Sequence, residues 1–171
     1  MQKRISILIL FLLIASIVQS RVQAQEAAQK INEKSAITID REELISFAKK
    51  YLGTPYHYAS SNPKKGFDCS GFVNFVFNNF HVSLPRSSRD FKSMGKDLKP
   101  EEFKEGDVVV FYSFRNKARI GHVGIISEAK GLRSKFIHSA SGQKRGIVIS
   151  ELGEGLYATR FFRCIDVIGK N

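Results

Sequence analysis

The chain has 171 residues, 43% of them hydrophobic and 25% charged, and is long enough for one domain with a buried core. The formal net charge of +11 favours anionic polymers or lipid surfaces as partners. Basic and aromatic residues do not interleave in the way that is typical of nucleic-acid-binding surfaces, so we expect no nucleic-acid partner.

Residues 1–24 have the pattern of a secretory signal peptide. Lys3 and Arg4 precede an apolar run of 14 residues, and Val22-Gln23-Ala24 suits a cleavage site. Because the run is shorter than the roughly 20 residues that span a bilayer, we expect no stable membrane anchor. No cysteine follows the run for lipid attachment. We predict cleavage after Ala24 and export to the periplasm or the medium, which leaves 147 residues with a net charge of +8.

A polar segment, residues 25–39, is predicted to be a flexible lead-in to one domain, residues 40–171. A helix is predicted next, because Asp40 and Glu43 have the spacing of a capping box. Gly53 and Pro55 end this helix. Its predicted inner face consists of Leu44, Ile45, Ala48, Tyr51 and Leu52. A loop and then a second helix follow, and residues 89–98 are predicted to hold a further short helix.

The second helix is predicted to begin at Cys69, with Asp68 as its N-cap. Its apolar positions cover most of the circumference, which is typical of a helix buried inside a domain. Cys69 is therefore predicted at the positive end of a central helix, where the dipole and free N–H groups favour thiolate over thiol. This environment suits a nucleophile, although cysteines more often serve as small packing residues.

The other cysteine, Cys164, lies in a strand-like segment and is predicted to be a buried packing residue. Two cysteines in an exported chain could instead form a disulfide. We favour two free thiols, because a bridge would consume the one thiol that has an activating environment.

From Gly106 onward the hydrophobic pattern changes from helical to alternating. The predicted strands cover residues 108–112, 120–127, 134–139, 147–150 and 160–167. Helices followed by a run of short strands indicate an α+β fold, with the helices packed on one side of a five- to six-stranded antiparallel sheet.

Two of the histidines, His122 and His138, lie in consecutive predicted strands. A symmetric hairpin centred on Lys130 would place them directly opposite each other, with Cβ atoms roughly 4.5–5.5 Å apart. A slip of one residue would instead put them on opposite faces. His57 and His81 are predicted to be surface residues.

A cysteine beside two histidines fits nucleophilic catalysis. In this interpretation Cys69 is the nucleophile, His122 the base and acid, and His138 the group that orients His122. The backbone N–H of Cys69 is the candidate oxyanion donor. A zinc site is the rival interpretation, but it lacks further ligands at close spacing, so we predict no metal.

Five motifs occur in order along the chain: FDCSGF at 67–72, LPRSS at 84–88, GDVV at 106–109, GHVGI at 121–125 and FIHSA at 136–140. Together they resemble the NlpC/P60 family of bacterial cell-wall cysteine peptidases. The resemblance implies a papain-like fold, no cofactor, and the same roles for Cys69, His122 and His138. The implied reaction is hydrolysis of an amide bond in peptidoglycan stem peptides, either a D-Glu–diaminopimelate type bond or the D,D cross-link.

The resemblance also implies that the hydroxyl of Tyr56 points into the active site. Asp68 is a helix cap that could in addition bind a substrate amine. The family pattern continues from this tyrosine to an aromatic residue and two glycines, whereas this chain has Ala59-Ser60, which leaves the shape of that cleft edge open.

Two other functions remain open, a non-catalytic wall-binding module and a thioester-based acyltransferase. The presence of the cysteine and both histidines argues against the first. The lack of an apolar, membrane-facing segment beyond residue 24 argues against the second. The oligomeric state is not predicted.

Overall fold

A computed structural model describes residues 16, 18–25, 39–142 and 145–169. The chain divides into two compact units, residues 1–38 and 39–171. In the first unit, residues 18–25 are helical and exposed. Across the described ranges, no helix has both the length and the apolar character to cross a membrane. The predicted signal peptide and lead-in lie mostly outside the described residues and stay predictions.

The second unit is built on a six-stranded antiparallel sheet with the strand order β3-β8-β4-β5-β6-β7. A short hairpin precedes it in the chain. The helices are α1 (Arg41–Lys49), α2 (Cys69–Asn78) and α3 (Gly155–Arg160). The hairpin strands are β1 (Ser61–Asn62) and β2 (Gly66–Phe67), and the sheet strands are β3 (Lys96–Leu98), β4 (Val108–Tyr112), β5 (Ile120–Glu128), β6 (Lys135–Ala140), β7 (Gly146–Glu151) and β8 (Phe161–Asp166). The predicted α+β class is confirmed.

Both predicted helix starts are confirmed by their caps. The Asp40 carboxylate accepts hydrogen bonds from the N–H groups of Glu42 and Glu43 at 2.8 and 3.2 Å, and α1 begins at the next residue. The Asp68 carboxylate accepts from the N–H of Gly71 at 2.6 Å, and α2 begins at Cys69. The prediction of Leu52 on the inner face is wrong, because α1 ends at Lys49 and the Leu52 side chain is 47% exposed.

The two faces of the sheet bury different clusters. Helices α1 and α2 pack on one face, which carries Val108, Val110, Val123, Ile125 and Ile137. The opposite face carries Val109, Phe111, Ile126 and Phe136, and Tyr157 of α3 packs there. The prediction that the helices lie on one side therefore holds for α1 and α2. Helix α3, which the periodicity did not predict, lies on the other side.

The segment 89–98 differs from its predicted short helix. A 3₁₀ helix covers Ser88–Ser93, and the chain then continues as strand β3. Strand β3 pairs with β8, the last strand of the chain, with Asp97 opposite Ile165. A pairing between segments so far apart in sequence leaves little local signal, so the sequence of this stretch does not by itself predict a strand.

The observed register of β5 and β6 differs by two residues from the symmetric one. Ile125 lies opposite Ile137, and the register shifts between Ile126 and Glu128. Gly124, not His122, therefore lies against His138. A shift of two residues preserves the alternation of side chains, so the two histidines still lie on the same face, as diagonal neighbours.

Gly124 is a position where this register leaves no room for a side chain. A Cβ atom there would lie 2.6 Å from Cδ2 of Phe136 and 3.0 Å from Cβ of His138. We expect Gly124→Ala to lower the free energy of unfolding by about 1–3 kcal/mol through overpacking. Urea denaturation of the variant and the wild type measures this difference.

Gly142→Ala is the matched control, because a Cβ atom at Gly142 has nothing within 4 Å. This variant should leave the unfolding midpoint almost unchanged. Equal stability of the Gly124→Ala variant and the wild type would contradict the register.

Candidate active site

The site forms where strands β5 and β6 separate. Their pairing runs from Glu128 to Ile125 on β5 and does not continue toward the start of that strand. The segment that leads into α2 is hydrogen-bonded to β6 in this region. The hydroxyl of Ser139 on β6 donates to the carbonyl of Phe67 at 2.6 Å. The backbone N–H of Val123 on β5 is directed at the thiol of Cys69. Cys69 is thereby held beside Val123, the residue that follows His122.

The two predicted histidines are joined directly. Nε2 of His122 lies 2.9 Å from Nδ1 of His138, and the ring planes are perpendicular at 90°. Both rings lie on the sheet face opposite α1 and α2, since His122 pairs with Phe111 and His138 stacks on Phe136 at 4.6 Å. The contact occupies Nε2 of His122. Nδ1 is therefore the nitrogen that can take a proton from Cys69.

The thiol of Cys69 is held in its neutral form. Burial raises the pKa of the thiol, and the Asp68 carboxylate raises it further. The backbone N–H groups of Ser70, Val123 and Cys69 act in the opposite direction, as expected for a helix N-terminus. The helix start thus favours the thiolate as predicted, but burial is the largest contribution, so the thiol is neutral in the resting site.

The imidazole of His122 is also neutral at rest. Burial lowers its pKa to about 3, and the positive charge of Arg160 adds to this shift. Arg160 is held at the end of α3 by a hydrogen bond from its Nε to the carbonyl of Tyr112 at 2.8 Å. Two neutral groups are the starting state that activation of a thiol by a general base requires, and they differ from a preformed thiolate–imidazolium pair.

The other two predicted residues, Tyr56 and Asp68, lie beside the thiol. Besides capping α2, the Asp68 carboxylate is paired with Arg86 at 2.7 and 3.0 Å. Burial raises the pKa of the Tyr56 phenol, and the nearby charges of Cys69 and Asp68 raise it further. The structure therefore places Tyr56, Asp68 and Cys69 along one cleft and joins His122 to His138, and the N–H of Val123 connects Cys69 to the strand of His122.

Cys69 lies at the wall of an open cleft of about 920 Å³. The cleft is lined by Tyr56, Asp68, Cys69 and Arg86, and by Arg89 and part of the segment 113–121, including Arg115 and Arg119. Arg89, Arg115 and Arg119 form no ion pair with any residue that the structure describes. Asp90 also lines the cleft, so its described lining holds four arginines and two aspartates, a net positive charge.

Residues near the site that sequence reasoning missed are Arg86, Ser150, Tyr157 and Arg160. Arg86 lies in the LPRSS motif and pairs with Asp68, which is 18 residues away in the chain. Ser150 lies 2.9 Å from Nε2 of His138, and Tyr157 packs on both histidine rings. The alternation of β7 could have placed Ser150 on the face of His138, but only once the pairing of β6 with β7 was known.

The other histidines and both cysteines are in the environments that the sequence predicts. His57 and His81 are exposed, as predicted. Cys69 and Cys164 are both free thiols, and Cys164 is buried in the cluster opposite α2, also as predicted. Within the described part of the chain, no three His, Cys, Asp or Glu side chains are arranged to hold a metal ion.

The fold defines a class of protein. It is a papain-like α+β domain with a cysteine at the N-terminus of a buried helix and two bonded histidines on the adjoining sheet. The sequence model of the NlpC/P60 family matches residues 53–166. The chain belongs to the NlpC/P60 family.

Individual relatives agree with this assignment. The gamma-DL-glutamyl hydrolase of Bacillus subtilis is 36% identical over 118 residues, which are 68% of this chain and 27% of that protein. A probable endopeptidase NlpC homolog of Haemophilus influenzae is 31% identical over 133 residues, covering 77% of this chain and 65% of that protein. The crystal structure of an NlpC/P60 family protein from Bacillus cereus has a TM-score of 0.68 at 26% identity, covering 77% of this chain and 41% of that one. The chain thus spans less than two thirds of each.

The raised pKa of Cys69 predicts how its reactivity depends on pH. Because only the thiolate reacts with iodoacetamide, we expect the alkylation rate of Cys69 to rise steadily from about pH 6 to about pH 9 without a plateau. Asp68→Asn should raise the rate at each pH, since it removes a negative charge beside the thiol while asparagine still caps the helix.

The alkylation reaction is quenched at a series of times, and mass spectrometry of the labelled peptide then gives both rates. Cys69→Ala gives the background from Cys164, which is buried. A rate that is already constant below about pH 6 would reveal a preformed thiolate–imidazolium pair and contradict the neutral resting site.

Proposed function

We propose that the chain is a cysteine endopeptidase that hydrolyses an amide bond in peptidoglycan stem peptides. The observation that carries this proposal is the position of the Cys69 thiol at the N–H of Val123, next to His122, whose Nε2 is bonded to His138. The relatives named as a hydrolase and a probable endopeptidase support the same reaction class.

In this mechanism His122 moves one proton in each half of the reaction. Nδ1 of His122 takes the thiol proton as Sγ of Cys69 forms a bond to the carbonyl carbon of the substrate. The same proton then passes to the amide nitrogen as the carbon–nitrogen bond breaks, which leaves a thioester. A water molecule attacks the thioester after losing a proton to His122, the carbon–sulfur bond breaks, and that proton returns to the sulfur.

Two further groups stabilise the charge that develops. The backbone N–H groups of Cys69 and Ser70 at the start of α2 are the candidate donors to the oxyanion, because they lie beside the sulfur and carry the positive end of the helix dipole. Tyr56, whose phenol stays protonated, is the candidate side-chain donor in the cleft. His138 orients His122 from the side away from the thiol.

The charge of the cleft supports a substrate with carboxylate groups. Asp68 is already neutralised by Arg86, whereas Arg89, Arg115 and Arg119 form no ion pair within the described residues and outnumber the remaining cleft carboxylate, Asp90. Peptidoglycan stem peptides carry carboxylates on their glutamyl and diaminopimelyl residues. The name of the Bacillus subtilis relative supports the glutamyl bond, and the name of an Escherichia coli relative, a murein DD-endopeptidase that is 28% identical over 156 residues, supports the D,D cross-link.

The site of action follows from the N-terminal segment. We propose that residues 1–24 direct export and that residues 25–39 lead into the catalytic domain, residues 40–171. This would place the enzyme in the periplasm or outside the cell, where its positive charge keeps it near the anionic wall.

The first test is the loss of the nucleophile. Purified protein should release soluble fragments from isolated peptidoglycan, and Cys69→Ala should lower the rate at least about 10³-fold, because no other group can form the thioester. Mass spectrometry of the fragments identifies the new termini and hence the bond.

Cys164→Ala is the control for removing a thiol, since Cys164 lies in the cluster on the sheet face opposite α2. It should release fragments at a rate close to that of the wild type. Fragment release by Cys69→Ala at the wild-type rate would refute the nucleophile. Binding to the wall without release by the wild type would indicate the non-catalytic module.

The second test concerns the cleft arginines. The double variant Arg115→Gln/Arg119→Gln should raise KM about threefold to tenfold with little change in kcat, because exposed ion pairs contribute about 0.2–1 kcal/mol each to substrate binding. A stem peptide whose carboxylates are converted to carboxamides should bind both proteins equally.

Arg133→Gln is the matched control, since Arg133 is exposed and does not line the cleft. It changes the net charge without removing a cleft residue, so KM should stay at the wild-type value. An equal rise in KM for Arg133→Gln would indicate a general effect of net charge instead of carboxylate recognition.

A further inference from the structure

Two exposed aromatic side chains lie at the cleft that contains Cys69. Tyr58 lines the cleft, and its side chain is 82% exposed. Phe114 is 69% exposed and lies in the chain between Ser113 and Arg115, which both line the cleft. Every other aromatic side chain in the described part of the chain is buried or half-buried. Because exposed apolar surface gains free energy when a ligand covers it, two such rings at one cleft indicate a ligand with apolar faces.

The turn that presents Tyr58 is hydrogen-bonded at both ends to the segment before α2. The N–H of His57 donates to the carbonyl of Phe67 at 3.0 Å, and the carbonyl of Ser60 accepts from the N–H of Asp68 at 2.9 Å. The alanine that follows Tyr58 has a φ of 55°, in the left-handed region that residues other than glycine rarely adopt. Strain of this kind is typical of segments that position a functional side chain. The backbone of Tyr58 is thus held at a fixed place beside the segment that carries the nucleophile.

The loop between β4 and β5 presents Phe114. The N–H of Ser113 donates to the carbonyl of Arg119 at 2.7 Å, and the side-chain oxygen of Asn116 accepts from the N–H of Ala118 at 2.9 Å. The same loop supplies an amide and two guanidinium groups to the cleft lining. An aromatic ring next to such hydrogen-bonding groups suits a sugar, which has C–H groups on its faces and hydroxyl groups at its edges. A lipid surface would instead require a contiguous apolar patch.

We propose that Tyr58 and Phe114 form a sugar-binding rim of the cleft, which takes up the glycan to which the stem peptide is attached. The inference deepens the proposed function and rests on it in taking the stem peptide as the occupant of the cleft. In peptidoglycan the amino end of the stem is joined to the lactyl group of a sugar. A stem bound near Cys69 therefore brings its sugar to the same cleft.

The stem peptide alone does not account for the two rings. Its alanyl, glutamyl and diaminopimelyl residues have no aromatic side chain and no large branched apolar side chain. The pyranose rings of the glycan provide flat faces of C–H groups on which an aromatic side chain can stack. The part of the substrate that matches Tyr58 and Phe114 is therefore the sugar.

The charge of the cleft also favours a stem that is attached to its sugar. The described lining holds four arginines and two aspartates, and one of these aspartates, Asp68, is paired with Arg86. A free stem peptide would bring a positively charged amino group into this net positive cleft. In the attached peptide the same nitrogen is a neutral amide, which avoids the repulsion. Charge and ring stacking thus select the same form of the substrate.

The first test compares two substrates that share one stem peptide. One is the disaccharide-linked stem that a muramidase releases from peptidoglycan, and the other is the same stem with an N-acetyl group in place of the sugar. Because neither has a free amino group at the stem, the sugar is the difference between them. We expect the wild type to have a kcat/KM at least about tenfold higher for the disaccharide-linked stem. Equal values for the two substrates would overturn the inference.

Variants of the two rings show whether they cause this preference. Tyr58→Ala and Phe114→Ala should each lower the ratio of the two kcat/KM values about threefold to tenfold. Tyr58→Phe keeps the ring and should keep the ratio, whereas Tyr58→Leu, which is apolar but not flat, should behave like Tyr58→Ala. Using the ratio removes any effect of a variant on folding, since both substrates are hydrolysed by the same preparation.

Leu132→Ala is the matched control for the loss of an exposed apolar side chain. Leu132 is exposed and does not line the cleft, so the ratio should stay at the wild-type value. A wild-type ratio in both Tyr58→Ala and Phe114→Ala would overturn the inference. An equal fall of the ratio in Leu132→Ala would also overturn it.

A binding measurement separates this inference from the proposed function. Saturation-transfer NMR with chitotetraose, a neutral oligosaccharide, requires no catalysis. We expect transfer from the wild type and a loss of transfer for Tyr58→Ala/Phe114→Ala. If the wild type hydrolyses neither stem but binds chitotetraose through the two rings, the proposed function fails and the sugar-binding rim stands. If it hydrolyses both stems equally and does not bind chitotetraose, the endopeptidase stands and the rim is refuted.

A membrane is the other surface that exposed aromatic rings could contact. Sedimentation with vesicles that contain anionic lipid tests this alternative, because such vesicles attract a positively charged protein. We expect Tyr58→Ala/Phe114→Ala to sediment to the same extent as the wild type. A loss of sedimentation in this variant, together with no binding of chitotetraose by the wild type, would assign the rings to a lipid surface and overturn the inference.

Discussion

The site depends on the separation of two neighbouring strands. Beyond Ile125 and Ile137, β5 and β6 no longer pair, and Ser139 of β6 bonds instead to the segment before α2. In this region the thiol of Cys69, which a helix carries on one face of the sheet, receives the N–H of Val123, next to His122, whose ring lies on the other face. Val123 shows how this works, since its side chain is in the core beneath α2 while its N–H faces the thiol. A fully paired strand would have used that N–H in the sheet.

Desolvation decides the protonation of the resting site. A helix N-terminus favours a thiolate, and the N–H groups near Cys69 act in that direction, but burial and the Asp68 carboxylate outweigh them. The same burial keeps His122 neutral, with Arg160 adding to the effect. Both groups are therefore uncharged until a proton moves between them. This arrangement makes the orientation of the imidazole proton decisive, because a single nitrogen lone pair must be available.

Asp68 links the architecture of the site to its charge. Its carboxylate caps α2 and binds Arg86, so one side chain fixes the start of the cysteine helix and neutralises an arginine of the cleft. The other cleft arginines remain available for a ligand. A carboxylate so close to the thiol disfavours the thiolate, and its pairing with Arg86 reduces that penalty. The cap, the cleft and the nucleophile are consequently not independent, and a change at Asp68 alters all three.

The sequence by itself determined what depends on near neighbours. Asp40 and Asp68 mark the helix starts because a cap bonds to N–H groups two or three residues away, and β4 has the predicted bounds because alternation is a local pattern. The predicted contact between His122 and His138 is present although the predicted register is wrong, because a shift of two residues keeps the side chains on the same face. Only the tertiary structure decided the face on which the histidines lie, the partners Arg86 and Ser150, and the neutral thiol. Each of these depends on burial or on contacts between distant segments, which local spacing does not encode.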